Sequence, residues 1–342
     1  MSQLPNIREI AEKAGVSTAT VSRVINHNGR YSRETEERVR KAIAESGYVP
    51  NLAAKGLRTN RTQTIGVVVP NILNPYFAKL VFELQNALFE QKYATIICNT
   101  NESAELEKEL LATLMAHQVS GVVLISGHSA PVSMQAVPTV YLDRRPEDIL
   151  YSPLNVVIES DNFNGGRLAA RELLACGCRS LAVIYACKPD VSQKLRLDGF
   201  RQTLVDTARK EIHSTEIILA DGSAACIRRT LAETLGSKPG IDGLFCLTDM
   251  IALGTMGALQ LSHVPVPADI CLIGFDDSPL ADLWLPPLTT IRQDAGATAR
   301  LAASQLLGMI SGVRPLQQNS VVPVELVRRA TTRATEGKGW FE

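Results

Sequence analysis

The sequence is poor in the groups that do covalent chemistry. It has five histidines, none beside an obvious serine or cysteine nucleophile, and aromatic residues make up only 5% of it. No G-x-x-x-x-G-K-[ST] phosphate loop occurs, no G-x-G-x-x-G follows the first strand-like run, and G-x-S-x-G and H-E-x-x-H are both missing. The expectation is a protein that is not an enzyme and needs no cofactor. No apolar run is long enough to span a bilayer, and the N-terminus lacks the continuous apolar stretch of a secretory signal. A cytoplasmic location with no membrane contact is therefore expected. In that compartment the seven cysteines (Cys98, Cys176, Cys178, Cys187, Cys226, Cys246, Cys271) should stay reduced. Cys176 and Cys178 have no histidine or cysteine partner at zinc-finger spacing, so no metal site is expected.

Net charge is also missing, with 35 basic against 35 acidic residues, but the balance is uneven. Residues 1–61 hold 11 Lys+Arg and 6 Asp+Glu, a net of +5, so the remainder carries 24 and 29, a net of −5. A basic module on an acidic body fits a small nucleic-acid reader joined to something larger. Its pattern agrees. Ile7, Ile10, Ala11 and Ala14 recur at helical spacing behind Asn6, a plausible N-cap with Glu9 three residues on. Gly15 suits the left-handed end of that helix, Val16 plugs the corner, and Ser17 caps the next helix. That second helix turns Val21, Val24 and Ile25 inward and leaves Thr18, Ala19, Ser22 and Arg23 outward. Asn28-Gly29 marks a turn, and a third helix opens at Ser32 and closes at Gly47. A helix-turn-helix with small outward residues and one arginine has the shape of a major-groove reader. An αα-corner in an ordinary helical domain is the competing reading.

Residues 51–62 read as a polar linker with a short helix candidate from Asn51 to Leu57. Leu57 has no local core to join. Either it is a stray leucine, or it is a wedge inserted between base steps in the minor groove by a helix that orders on DNA. From Thr64 the rhythm changes. Nearly continuous Val/Ile/Leu runs such as TIGVVV, NVVIES, SLAVIYA and ICLIGFDD alternate with helical stretches. Such runs are parallel strands covered on both faces, built as right-handed βαβ units. There are too many for one compact sheet. Two Rossmann-like lobes with a ligand cleft at the carboxyl ends of their strands fit better.

At this point the chain resembles the LacI/GalR family of bacterial transcription regulators. The resemblance rests on IREIAEKAGVSTATVSRVIN, ERVRKAI-ESGYVPN, TIGVVVPNILNPYFA, RLDGF at 196–200, TDMIALG at 248–254, IGFDD at 273–277 and PPLTTI at 286–291. These segments are collinear from residue 6 to about 332. The fold so implied is α/β, an N-terminal three-helix helix-turn-helix headpiece plus a two-lobed core of the periplasmic-binding-protein type. The headpiece is placed at 1–50, the hinge helix and linker at 51–62, the core at 63–335 and a tail at 336–342. The family's lobe exchange assigns 63–161 and 292–324 to lobe one, and 162–291 and 325–335 to lobe two. A homodimer on a pseudo-palindromic operator is implied. The tail lacks the leucine heptads of the family's tetramers.

The resemblance also implies roles. Thr18, Ala19 and Arg23 occupy base-reading positions, Arg23 facing a guanine edge. Ser17, Thr20, Ser22, Asn26 and Arg30 are phosphate contacts, which position without specifying. Leu57 matches an intercalating leucine at a central CpG step, with Ala54 and Lys55 beside it. In the core, Tyr76, Phe77, Asp143, Arg196, Asp249, Asp276 and Trp284 are the effector-binding candidates. The effector class is a sugar or sugar derivative, a purine-like co-repressor being the second class left open. For each aspartate the competing role is a helix cap or structural ion pair, which fits Asp277 better than Asp276. A solute-binding protein and a sugar-acting α/β enzyme remain as other classes of function. Replacing Leu57 with alanine should weaken operator binding and reduce DNA bending, read by mobility shift on circularly permuted duplexes. A variant that binds and bends as well as the parent removes the wedge from the mechanism.

Overall fold

A computed structural model describes residues 5–25, 27–48, 62–125, 127, 134, 136–207, 211–237 and 240–333. Asn26, Ala54, Lys55 and Leu57, with most of the hinge segment and the tail, lie outside the described residues. The chain divides into two compact units, residues 1–62 and 63–342.

The first unit holds three helices, α1 (Ile7–Ala14), α2 (Thr18–Ile25) and α3 (Arg33–Ser46). Each boundary has a local cause. The Asn6 side chain accepts from the backbone N–H groups of Arg8 and Glu9, and Gly15 takes the left-handed conformation at φ 64°. Ser17 Oγ accepts from Thr20 N at 3.1 Å, and Ser32 caps α3 in the same way. Ile10, Ala11, Ala14, Val21, Val24, Val39 and Ala42 bury together as one small core. Ile25 is only half-buried at its edge.

The second unit contains two six-stranded sheets. The first is ordered β11-β5-β4-β3-β1-β2 and comprises β1 (Thr64–Val69), β2 (Ala94–Asn99), β3 (Gly121–Leu124), β4 (Thr139–Leu142), β5 (Asn155–Ser160) and β11 (Asn319–Val322). The second is ordered β12-β10-β9-β8-β6-β7 and comprises β6 (Ser180–Ala186), β7 (His213–Leu219), β8 (Gly243–Cys246), β9 (Cys271–Asp276), β10 (Thr289–Gln293) and β12 (Val324–Val327). Read from the other edge, the leading five strands of each sheet follow the same 2-1-3-4-5 plan, a doubly wound order whose ligand crevice lies outside the carboxyl ends of the strands. The pairs are parallel except β10 with β12 among the described strands.

The helices are α4 (Pro75–Glu90), α5 (Ala104–Ala116), α6 (Asn162–Ala175), α7 (Val191–Asp206), α8 (Ala224–Ser237), α9 (Asp249–Leu261), α10 (Pro279–Leu283) and α11 (Ala295–Ile310). α11 packs on the first sheet beside α4, its Ala299, Ala302 and Leu306 burying with Leu80 and Leu84. The chain thus passes between the sheets three times, after Ser160, after Gln293 and after Val322. Arg292 and Gln293, assigned by resemblance to lobe one, are strand residues of the second sheet, as is Val324. The shift has a simple cause. β10 must extend to Gln293 to pair with Val324, so the crossing falls two residues later, at Asp294.

The packing of α6 on α7 matters most for the site. A Cβ on Gly166 would lie 1.9 Å from the Arg196 carbonyl oxygen, and one on Gly199 would lie 1.9 Å from that of Phe163. The two backbones touch where only glycine fits, and the contact sets the position of Arg196 on α7. Gly199→Ala should therefore lower core stability by about 1–3 kcal/mol, the usual cost of overpacking. Gly257→Ala, at a helical glycine with nothing within 4 Å of the added carbon, should be neutral or stabilising. Urea midpoints of the two variants measure the contrast, and equal midpoints would contradict the close approach.

Candidate functional site

The cleft forms at the carboxyl ends of the strands. It is lined by Asn74, Tyr76, Phe77, Asp143, Arg144, Asp190, Ser192, Gln193, Arg196, Thr248 and Asp276. The non-atom space it outlines, open solvent included, is about 270 Å³.

Each wall has a local origin. Asn74 caps α4 and Pro75 opens it, which places Tyr76 and Phe77 in the first turn just beyond β1. Asp143 follows β4 in the left-handed conformation at φ 66°. The Tyr76 hydroxyl donates to Asp143 Oδ1 at 3.0 Å, and both groups are buried. Burial, with Asp143 and Asp276 nearby, holds the phenol well above its ordinary value, so it stays a donor. Burial also raises the Asp143 carboxyl, with Arg196 and Arg144 opposing the shift.

In the second sheet's half, Asp190 caps α7 and Arg196 sits one and a half turns in. Arg196 is 3% exposed, so its charge must be met by protein. Its Nε donates to Asn162 Oδ1 at 2.8 Å and its Nη1 to the Leu247 carbonyl at 2.7 Å. Nη1 also lies 3.5 Å from Asp276 Oδ1, and the guanidinium stacks 3.7 Å from the Phe275 ring centre. Asp276 ends β9 at φ 122° and accepts from Gln293 Nε2 at 2.8 Å. Burial pushes its carboxyl well above the ordinary range, with Arg196 as the main opposing charge.

Bonds also cross the cleft between the two halves. Ser192 Oγ donates to the Asp143 carbonyl at 2.6 Å, Arg144 Nε pairs with Asp190 Oδ2 at 2.9 Å, and Lys194 pairs with Glu147. Arg144 lies 4.9 Å over the Phe77 ring and reaches Glu102 as well.

Five of the seven expected effector residues, Tyr76, Phe77, Asp143, Arg196 and Asp276, line this cleft. Asp249 and Trp284 do not. Asp249 is fully buried behind β9, accepting from Thr290 Oγ1 at 2.6 Å and from Ser278 N at 2.7 Å. Both its oxygens serve the fold. Trp284 follows α10 and keeps 37% exposure on the surface. Asp277 pairs with Arg292 and Arg329, a structural role that holds its carboxyl below the usual range. Arg144, Asp190, Ser192 and Gln193 were not expected. The last three lie within six residues before the RLDGF segment, at the cap and in the first turn of the same helix, a proximity that could have named them.

In the headpiece, Ser17, Thr18, Ala19, Arg23 and Arg30 are exposed, while Thr20 and Ser22 are half-buried. Ser17 Oγ and Thr20 Oγ1 lie 2.9 Å apart at the start of α2. The first turn of α2 is thus presented outward with its small residues. Among the described residues no helix is long and apolar enough to cross a membrane.

Asp249 has a consequence for pH. Burial pushes its carboxyl up to about 6, opposed by the Thr290 hydroxyl, against about 4 in an unfolded chain. Between these values the native state holds a proton that the unfolded chain releases, so this group's contribution to stability falls as pH rises through the window. The stability difference between the parent and Asp249→Asn should therefore shrink from about pH 4 to about 6 and level off above. Urea melts across that range check it, and a difference that widens with pH would contradict it.

Comparison with known proteins agrees with this geometry. A family model described as bacterial regulatory proteins, lacI family, matches residues 6–51, and one described as a periplasmic binding protein-like domain matches residues 170–332. The chain is 33% identical over 339 residues to the ribose operon repressor of Halalkalibacterium halodurans, covering 97% of this chain and 98% of that protein. It is 30% identical over 341 residues to the HTH-type transcriptional repressor PurR of Haemophilus influenzae, covering 96% and 98%. A crystal structure of the lac repressor dimer bound to operator and the anti-inducer ONPF superposes with a TM-score of 0.85 at 28% identity, over 97% of this chain and all of that one. With its helix-turn-helix unit, its twin doubly wound sheets and its polar cleft, this chain belongs to the lacI family of bacterial regulatory proteins, DNA-binding transcriptional regulators.

Proposed function

We propose that the chain is a repressor whose grip on operator DNA is set by a polyhydroxylated small molecule, a sugar or sugar derivative, bound in the cleft. The observation that carries this reading is the convergence of Arg196, Asp276 and the Tyr76–Asp143 pair on one small space. Vicinal hydroxyls both donate and accept. Buried carboxylates receive their protons, and a guanidinium edge donates to their oxygens. Phe77 supplies an apolar wall for C–H groups. A relative named as a ribose operon repressor supports the same class.

The coupling follows from where the contacts lie. Tyr76 and Asp143 stand on the first sheet's half, Arg196 and Asp276 on the second's. A ligand that meets both halves binds one inter-lobe angle more tightly than another and shifts the population accordingly. The Ser192–Asp143 and Arg144–Asp190 bonds are the contacts such a shift makes or breaks. Operator and effector then influence each other reciprocally, by about 1–3 kcal/mol in typical cases.

A homodimer on a pseudo-palindromic operator with a central CpG step completes the reading. Phe82 and Phe89, seven residues apart on α4, are 61% and 68% exposed. Leu283 and Leu285 flank Trp284 with 74% and 78% exposure. Surface of this kind marks an association face, and the lac repressor structure matched above is a dimer. Thr18, Ala19 and Arg23 read bases in this scheme. Ser17, Thr20, Ser22, Asn26 and Arg30 meet phosphates, Leu57 enters the minor groove, and Ala54 and Lys55 lie beside it.

The test is a mobility shift on CpG-centred palindromic duplexes, with and without a panel of monosaccharides and disaccharides. The parent should prefer such a duplex over random DNA, and one sugar should change the midpoint by tenfold or more, about 1.4 kcal/mol. Arg196→Lys should keep operator binding and lose most of the sugar response. A chain with no preference for any twofold-symmetric duplex sinks the repressor reading. A response to a purine base instead of any sugar sinks the effector class alone.

A further inference from the structure

The turn that follows α2 closes on Arg23. Asn28 N–H donates to the Arg23 carbonyl at 3.1 Å, and His27 N–H donates to the Val24 carbonyl at 3.3 Å. His27 takes the left-handed conformation at φ 50°. A left-handed residue past the cap, followed by a bond reaching five residues back, is the Schellman closure of a helix. Arg23 supplies the carbonyl that receives that bond, so the turn fixes its backbone.

The same turn meets its side chain. Gly29 is left-handed at φ 90°, and a Cβ built on it would lie 3.2 Å from Arg23 Cδ, 3.5 Å from Cγ and 3.6 Å from Nε. Carbon atoms in ordinary contact stand about 3.5–4.0 Å apart. The Arg23 stem therefore crosses Gly29 through room that the missing side chain leaves. A Schellman closure usually carries an apolar contact between the last helical turn and the residue beyond the left-handed one. Here the methylenes of Arg23 make that contact one residue further on.

Arg23 is exposed. Among the described residues it forms no ion pair, whereas Arg33 and Arg40 of α3 pair with Glu37 and Glu36. An exposed arginine samples many rotamers and gives that freedom up on binding. A stem laid along a closed turn has surrendered part of it beforehand.

We infer that Gly29 is a specificity-determining residue of the DNA contact: the His27–Gly29 turn sets the direction in which the Arg23 guanidinium leaves α2. The inference rests on the base-reading role proposed above for Arg23. Bidentate recognition of guanine needs two N–H groups to meet O6 and N7 together, so the direction of the stem decides whether the base is read. A side chain at position 29 pushes the stem off the turn. Because Arg23 is exposed, the stem moves aside without disturbing the buried core of the headpiece. The loss then falls on discrimination, while phosphate contacts, which carry no sequence information, keep the general affinity.

The experiment uses the full chain. The parent first selects its preferred duplex from a CpG-centred palindromic pool. Binding is then measured by fluorescence anisotropy, at one salt concentration, to that duplex, to every single-base-pair variant of its half-site and to random DNA. Arg23→Ala should lose about tenfold discrimination at one base pair of each half-site. Gly29→Ala and Gly29→Asn should each lose about threefold or more at that same pair and bind random DNA as the parent does. Asparagine accepts a positive φ more readily than alanine, so agreement between the two separates the added carbon from backbone strain. In the Arg23→Ala background neither should change that pair further, since their shared partner is gone. Unaltered preferences in both Gly29 variants overturn the inference. So does a loss spread evenly over all duplexes, or a further loss at that pair in the double variants. The Arg23→Ala result reports separately on base reading. If it shifts no preference, the base-reading role fails and the positioning role falls with it.

Discussion

The buried guanidinium of Arg196 is the interaction on which the core's chemistry depends. A charge at 3% exposure cannot be left to water, and four partners from three segments meet it. Asn162 comes from the start of α6, Leu247 from the end of β8, and Phe275 and Asp276 from the end of β9. Satisfying one cation thus fixes the relative position of two strand ends and two helices. The glycine pair Gly166 and Gly199 makes this possible by letting α6 and α7 approach at backbone distance. The close contact and the buried charge belong to one arrangement, because a wider helix spacing would pull Arg196 from Asn162.

That rigid half faces a second half of the same plan, and the polar bonds between them are few and specific. Ser192 with Asp143 and Arg144 with Asp190 use the first turn of α7 on one side and the segment after β4 on the other. Three chain crossings join the halves at their edges. Such a joint is stiff within each sheet and adjustable between them, the physical basis of hinge-type switching. The left-handed backbone at Asp143 and the positive φ of Asp276 lie on this joint. Strain of this kind persists where surrounding structure holds it, and it gathers at ligand sites.

The headpiece follows a different logic. Its boundaries are set by caps one to three residues away, and its core by helical spacing within about 45 residues. The core unit depends on residues far apart in sequence. Arg329 reaches back to Asp277, Thr331 to Thr289 and Leu272, and Arg333 to the Pro267 turn.

The amino-acid order alone therefore determined what local physics controls. It specified the three-helix unit with its caps, the run of buried parallel strands, the outward face of α2, and a cleft at strand ends, while Arg196 and Asp276 were named for that cleft by the family resemblance. The strands β10, β11 and β12 were less legible, because they are short and two of them are partly exposed edges whose polar residues break the apolar run. Only the tertiary structure decided the rest. Asp249 and Asp276 both follow or end apolar strands, yet one turns behind β9 to bind Thr290 and Ser278 while the other faces the cleft. Arg329 stands 52 residues from Asp277 in sequence and donates to its Oδ1 at 2.7 Å in space. Spacing along a chain says which way a side chain leaves its own strand or helix. Which distant segment it then meets is set by how the sheets pair and cross, and short-range patterns carry no record of that.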